Sequence, residues 1–547
     1  MTYLLPFILA MVVTMAWLPV LAHYAGKWLF LDQPGARKVH ATPTPRVGGL
    51  AMACGVFVAA LVTIHLQPSD RWFLAAAGVL VLFGAADDRF DLDYKIKLLG
   101  QMLAVGIVVA LGDVHIRTFT MDDRVALPEW VSLPLTVLFL IGITNAINLA
   151  DGLDGLAGGT TFLCLCAVAL LSGAGDSGSA AALALAFAGA VLGFLRFNTY
   201  PASVFMGDAG SQVLGFTIGV LSVRATQSPS SQLSAALPVL LLALPILDTL
   251  SVMVQRIGEG RSPFSPDKNH IHHKLLALGF DHHEAVMVIY ALQAALFVVA
   301  YLLRYESDLL ILGAVVAFFG VTITLFQLAS RYGWRLRNAR SVVPQAAIAI
   351  PSFSTWARPQ LLQKLSHIAL SAALAAYALV VGIETMTVSS DIWILVLVLL
   401  CIVSACLMFG RSAPLRVVEK AVLFVTATIF VYLDAMLPST DAWLAVMGWT
   451  AVGITAIAAA VRLRLFNDRR FQFTPLDLIV LFMALVVPSL LGSLRLPHGG
   501  ALGIAKLVVL LYGIEILVNR PGARAIWVRI AMFGALAGLA LRTAASV

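Results

Sequence analysis

"VSLPLTVLFLIGITNAINLADGLDG", residues 131–155, decides the fold and raises the functional question together. From Val131 to Leu149 it is mostly apolar and about as long as a helix needs to cross hydrocarbon, roughly 20 residues. Its end is polar, with Asn145, Asn148, Asp151 and Asp154 spaced by three and Gly152 and Gly155 among them. On an α-helix each step of three drifts about 60°. Asn148 and Asp151 therefore share a face, and Asp154 turns away where the glycines loosen the helix. Carboxylates beside hydrocarbon are costly and mark a function or a paired charge.

Outward from this stretch the apolar runs repeat. The chain has 547 residues, 60% hydrophobic and 12% charged, against about 25% charged in ordinary soluble domains. The runs do not alternate in polarity as β-barrel strands do. The sequence predicts an all-α polytopic membrane protein. Eleven spans are expected at about 3–23, 47–66, 73–87, 97–112, 131–149, 158–174, 180–196, 211–223, 236–256, 284–303 and 309–329. About seven more follow between 366 and 541. Residues 341–365, with Pro344, Pro351 and Pro359, read as a cytoplasmic linker between a first membrane domain (1–340) and an additional one (366–547).

Charge fixes the expected orientation. Residues 1–26 contain no Lys or Arg, so the first run reads as an uncleaved helix with its N-terminus outside. The alternating spans then put 28 of the 36 Lys and Arg inside and 7 outside, with Lys506 within a span. That is the positive-inside bias. The net charge of +7 is thus an orientation signal, and nucleic acid is not an expected partner. The five cysteines all lie in apolar runs without a CxxC pair, as small core residues do.

On this topology the polar motifs collect on the inner face. Asp87 and Asp88 close the third span, Asp151 and Asp154 follow the fifth, and Asp208 follows the seventh. A single Asp at a helix end is ordinarily a cap. Three such clusters on one face suit Mg²⁺, which takes one or two carboxylates with waters and substrate phosphates. The glycines around Asp208 and at 152–159 either make plain turns or bring backbone N–H groups to phosphate oxygens. "NHIHH" places His270, His272 and His273 among Arg261, Asp267, Lys268 and Lys274. Sugar or anion binding suits that setting best. Zinc and an ordinary surface loop remain as readings, although the spacing is not that of structural zinc. Lys97, Arg37, Lys38, His40 and Arg46 add positive groups, which serve either topology and lipid headgroups or a bound phosphate.

Five ordered segments carry a resemblance: "RKVHATPTPRVGG", "DDRFDLDYKIKLLGQ", "NAINLADGLDGLAGG", "NTYPASVFMGDAGS" and "PDKNHIHHKLLALG". Together they resemble the polyprenyl-phosphate N-acetylhexosamine-1-phosphate transferase family, and within it the bacterial members that use undecaprenyl phosphate and UDP-GlcNAc. The resemblance covers about residues 1–330. It implies Mg²⁺-dependent transfer, with Mn²⁺ as a substitute, of a sugar 1-phosphate from a UDP-N-acetylhexosamine to polyprenyl phosphate, releasing UMP. It implies a bacterial inner membrane, an active site on the cytoplasmic face, and a homodimer as one oligomeric option. By position, Asp208 and Asn148 would hold the metal, with Asp151 joining or orienting them. Asp87 and Asp88 would face the lipid phosphate, and Lys97 would hold a phosphate. Phe205 would stack on uracil, with Asn198, Gly152 and Asp154 shaping that pocket. His270, His272 and His273 would bind sugar or diphosphate. The rival class is a transporter or flippase, which needs ionisable groups near the midplane. In residues 1–330 such groups gather at inner helix ends instead, apart from Asp248. Glu384, Asp434, Lys506 and Glu515 keep a transport or partner-binding role open in the second half.

Overall fold

The computed structural model describes residues 4–28, 30–32, 43–121, 123–172, 178–262, 269–336, 359–384, 442–465 and 526–546, and isolated helical positions between 393 and 517. Arg37, Lys38, His40, Asp267, Lys268 and Glu515, and the expected linker up to residue 358, lie outside them, as does the side chain of Glu384. The chain divides into two compact units, one of Met1–Val342 with Thr474–Ile479 and one of Val343–Phe473 with Val480–Val547.

The first unit is a helical bundle. Its long helices are α1 (Leu4–Tyr24), α2 (Gly48–Thr63), α3 (Pro68–Phe90), α4 (Tyr94–Ala110), α5 (Glu129–Ala150), α6 (Leu156–Ser172), α7 (Gly178–Asn198) and α8 (Asp208–Gln227). There follow a short α9 (Leu237–Leu241), α10 (Ala243–Gly258), a short α11 (Ile271–Ala277), α12 (His282–Leu302) and α13 (Asp308–Arg331). Among the described residues of the whole chain, six helices are long and apolar enough to cross a membrane. They are α1, α5, α7, α12, α13 and, in the second unit, α14 (Pro359–Glu384). The protein is a helical membrane protein. Helices α6 and α8 are buried on nearly every side, whereas α13 exposes most of its apolar surface. A helix apolar all round belongs in a bundle centre, and an exposed apolar one faces lipid.

The expected ninth span is broken between α9 and α10. Pro245 has no N–H to give the carbonyl four residues back, that of Leu241. Gln293 on α12 donates its amide to that carbonyl at 2.9 Å, so the break is satisfied from a neighbouring helix. The chain is also not wholly α. Residues 113–130 contain an antiparallel hairpin, β3 (Thr118–Thr120) with β4 (Arg124–Ala126). A second small pair joins β1 (Leu31–Asp32) to β2 (Thr44–Pro45).

Helices α2 and α3 reach the start of α8 through glycines. A Cβ on Gly49 would lie 2.2 Å from the backbone N of Gly210, and one on Gly84 2.4 Å from the Cα of Ala209. Backbone-to-backbone approach of this kind is what small residues permit in membrane bundles. It fixes the position of Asp208, the first residue of α8.

In the second unit α14 packs on α15 (Ala442–Leu465) and α16 (Ile526–Ser546). Lys506 and Asp434 pair there at 2.5 Å, with the Tyr377 hydroxyl donating to the same carboxylate at 3.0 Å and the Trp449 ring 4.3 Å from the ammonium. The buried charges thus satisfy one another, as ionisable groups in apolar surroundings must.

Candidate active site

Helix polarity assembles the site. The C-termini of α3, α5 and α7 and the N-termini of α4 and α8 carry Asp87, Asp88, Asn148, Asp151, Asn198, Lys97 and Asp208. Packing of α3 on α4 and α8, and of α5 on α8, brings these ends together. The Lys97 ammonium lies 2.6 Å from Asp87 Oδ2 and 3.2 Å from Asp208 Oδ2. Asn148 donates its amide to Ser211 Oγ at 2.8 Å, one turn into α8.

Asp88 is placed differently from Asp87. Its two oxygens accept the backbone N–H groups of Asp208 (2.8 Å) and Ala209 (3.0 Å). It caps α8, where a negative charge also opposes the helix dipole. Gly207, just before, has φ of +72°, and a Cβ there would meet the Asp88 carboxylate at 2.4 Å. The glycine is required on both counts.

Crowding sets the protonation of these carboxylates. Burial pushes Asp88 up to about 7, although the N–H groups of Ala209 and Asp208 pull the other way. Burial, then the charges of Asp208 and Asp154, push Asp151 up to about 7. Burial also acts on Asp208, but the hydrogen bond from Asp87 and the Lys97 charge outweigh it and hold Asp208 below the usual range. Burial likewise pushes Asp87 up to about 6, so near neutral pH the cluster carries several negative charges at close quarters, which a cation would relieve.

The donor set fits a hard divalent ion. Asn148 hydrogen-bonds Asp208, and the Asp208 charge acts on Asp151, so the neighbouring side chains carry oxygen donors of the type Mg²⁺ takes. Among the described residues no group of three or more His, Cys, Asp or Glu is arranged to hold a metal ion by itself. Mg²⁺ does not require one, because substrate phosphates and waters fill its remaining positions.

Several other expected residues also take part in the scaffold. Both ends of the Asn198 amide are used: Oδ1 accepts from Gly155 N at 2.9 Å and Nδ2 donates to Val204 O at 3.0 Å. The Asp154 carboxylate accepts from Ala202 N at 2.9 Å, and its own N–H donates to His282 Nε2 at 3.0 Å. These bonds stitch the 151–155 turn to the 199–204 loop. Phe205 is half-buried, and its backbone bonds to Pro45 and Gly48. His270 is buried with Nδ1 2.8 Å from Asp248 Oδ2, and Asp248 Oδ1 accepts the N–H of Ile271. His272 is buried with its ring against Gly152, where a Cβ would lie 2.5 Å from Nε2. Burial, with the nearby His273, pushes His272 down to about 3, so it stays neutral. His273 is the half-exposed member of the trio.

Gln101, Gln212, His282 and Asp32 join the site without a role assigned from sequence, and Asn145 gains a partner. Asp208 is followed inward by a ladder of amides. Gln212 donates to Asp208 at 3.3 Å, Gln101 to Gln212 at 3.2 Å, and Asn145 to Gln101 at 2.8 Å. The i,i+4 spacing of Asp208 and Gln212 was the available signal. His282, stacked on Tyr200 at 4.5 Å, had none, since its contact comes from tertiary packing. Asp32 pairs with Arg46 across the β1–β2 strands, which no strand pattern announced.

Comparison with known proteins gives a consistent set. The family described as glycosyl transferase family 4 matches residues 71–226. A Bacillus subtilis protein named probable undecaprenyl-phosphate N-acetylglucosaminyl 1-phosphate transferase is 36% identical over 288 residues, covering 52% of this chain and 80% of that protein. A decaprenyl-phosphate N-acetylglucosaminephosphotransferase of Mycolicibacterium smegmatis is 36% identical over 305 residues, 50% of this chain and 74% of its own. The Escherichia coli K12 undecaprenyl-phosphate alpha-N-acetylglucosaminyl 1-phosphate transferase is 32% identical over 285 residues, 50% of this chain and 77% of its own.

Proposed function

The chain belongs to the polyprenyl-phosphate N-acetylhexosamine-1-phosphate transferases of glycosyl transferase family 4, and from that membership we propose its reaction. It moves N-acetylglucosamine 1-phosphate from UDP-GlcNAc to a polyprenyl phosphate in the bacterial inner membrane. The site faces the cytoplasm and the N-terminus lies outside. The observation that carries this reading is the Asp87–Lys97–Asp208 group, with Asn148 beside it, at one end of an apolar bundle. A soluble anionic donor and a membrane-bound anionic acceptor meet only at such a surface.

The chemistry follows from charge. An oxygen of the lipid phosphate attacks the β-phosphorus of the donor, the bond to the bridging oxygen of the α-phosphate breaks, and UMP leaves with that oxygen. The lipid diphosphate keeps the sugar. A phosphate monoester is already anionic near neutral pH, so direct attack needs little activation, and an aspartyl intermediate is not required. Mg²⁺, held by Asp208 and Asn148 with Asp151 beside them, supplies Lewis acidity and charge neutralisation when bound. Lys97 balances Asp87 and Asp208 and is positioned to turn toward an incoming phosphate. Asp88 holds the first turn of α8 in place. Asp154 and Asn198 tie down the turn and the loop beside it.

Product analysis with UDP-GlcNAc, UDP-GalNAc and UDP-QuiNAc, each with polyprenyl phosphate and with Mg²⁺ or chelator, tests the proposal. A Mg²⁺-dependent lipid-linked product, largest with UDP-GlcNAc, supports it. No lipid-linked product from any of the three sinks it.

A further inference from the structure

Arg46 stands outside the roles assigned so far. Its placement is tightly specified. Its own N–H donates to Phe30 O at 2.8 Å. On either side, Pro45 O accepts from Phe205 N at 2.8 Å, Gly48 N donates to Phe205 O at 3.0 Å, and Gly49 N to Met206 O at 2.8 Å. The 45–49 segment is thus zipped to residues 205–206, two positions before Asp208. The contact of Gly49 with the backbone of Gly210 extends the zipper to the first turn of α8.

The guanidinium is aimed as well as anchored. Asp32, buried on the paired strand, accepts from Nη2. Among the described residues Asp32 is its one side-chain partner, and the Arg46 side chain stays about a third exposed, at 34%. Toward the described residues its fork uses Nη2, one nitrogen of the five-donor group. Its charge is felt at Asp88 and Asp151, in keeping with the zipper that holds it beside the carboxylate group. Lys97, the other cation there, already lies between two carboxylates. Asp32 is buried and needs a partner, and in meeting that need it fixes the direction of the Arg46 guanidinium. A planar fork matches phosphate oxygens two at a time, which an ammonium does not.

We propose that Arg46 is a phosphate-binding residue of this site and that Asp32 is the positioning residue that aims it. The ligand chemistry is a phosphate ester, carried by the nucleotide diphosphate or by the polyprenyl phosphate. In naming those sources the inference rests on the proposed function.

Calorimetric titration of the purified full chain in Mg²⁺ separates the sources, with UDP, undecaprenyl phosphate and inorganic pyrophosphate as the three probes. Arg46→Met is expected to weaken UDP or undecaprenyl phosphate by at least about 10-fold, as loss of a charge-assisted fork does. The probe that weakens names the source. Arg46→Lys recovers part of the loss. Asp32→Asn weakens the same probe by less, and has no further effect in the Arg46→Met background, whereas a purely structural Asp32 would act equally in both. Unchanged affinity for all three probes in Arg46→Met, with melting and gel-filtration behaviour like the wild type, overturns the proposal. Wild-type binding of pyrophosphate that depends on Arg46, without binding of UDP or the lipid, refutes the functional reading and leaves the phosphate site standing. Wild-type binding of none of the three refutes both.

Discussion

Asp88→Asn separates a helix cap from a catalytic base. The carboxylate accepts two backbone N–H groups, of Asp208 at 2.8 Å and Ala209 at 3.0 Å. An asparagine keeps one acceptor and turns an NH₂ toward the other N–H. One donor at the α8 N-terminus is then unsatisfied, and the charge opposing the helix dipole is gone. Together these cost about 2 kcal/mol. That is roughly 30-fold in the equilibrium constant for having the first turn of α8 in place, and so the most by which its population can fall. Asp208 begins that turn, so kcat at limiting Mg²⁺ is expected to fall measurably and by up to about 30-fold. The deficit should shrink as Mg²⁺ rises, because a ligand of the aligned form pulls the equilibrium back. KM for the UDP-sugar should change little. Initial rates across a Mg²⁺ series provide the assay. A loss of about 10⁴-fold or more that Mg²⁺ does not relieve, of the size general acid–base catalysis contributes, would mean that Asp88 acts on the substrate itself. An unchanged rate would mean that the cap does not position Asp208. Either result refutes the reasoning.

Other perturbations reach different parts of the site. Asp208→Asn should abolish turnover and leave the melting temperature close to the wild type; retained turnover would overturn the metal assignment. Gly152→Ala puts a methyl group 2.5 Å from the ring of buried His272, and should cost about 1–3 kcal/mol of stability, as overpacking does, with loss of activity; normal melting and normal rates would contradict the packing. Burial of neutral His272 gives a pH signature. Its folded value of about 3 lies below the unfolded value of about 6.5, so the folded state binds fewer protons between them. Its stability contribution is complete above the unfolded value and is lost as pH falls through that window. Melting curves should drop on acidification below about pH 6.5, and His272→Gln should flatten that drop; an equally steep drop in the variant would refute it. Asn148→Ala should raise the Mg²⁺ requirement more than it weakens UDP binding, and Asp154→Ala, by untying Ala202, should do the reverse; equal effects on both would end that division.

How far the sequence was legible follows from which interactions were local. Apolar runs gave helix positions, because burial in hydrocarbon demands about 20 apolar residues whatever the neighbours. The spacing of Asn148 and Asp151 put both at the end of α5, since α-periodicity is a property of one helix. Pairings across helices were hidden. Nothing in "DD" tells Asp87, beside Lys97, from Asp88, which caps a helix 120 residues later. The same holds for His270 and His272, which look solvent-facing in a polar loop and are buried by Asp248 and Gly152. The break at Pro245 was written in the proline, but its repair by Gln293 was not.

The central claim is transfer of a sugar phosphate rather than of a sugar, and the nucleotide released tests it most directly. The full chain would be incubated with radiolabelled UDP-GlcNAc, Mg²⁺ and undecaprenyl phosphate, and lipid product and free nucleotide quantified together. The account predicts UMP formed in equal amount to a lipid diphosphate-linked sugar, with neither formed by Asp208→Asn. Release of UDP with the sugar on a lipid monophosphate, or no lipid product at all, would contradict it.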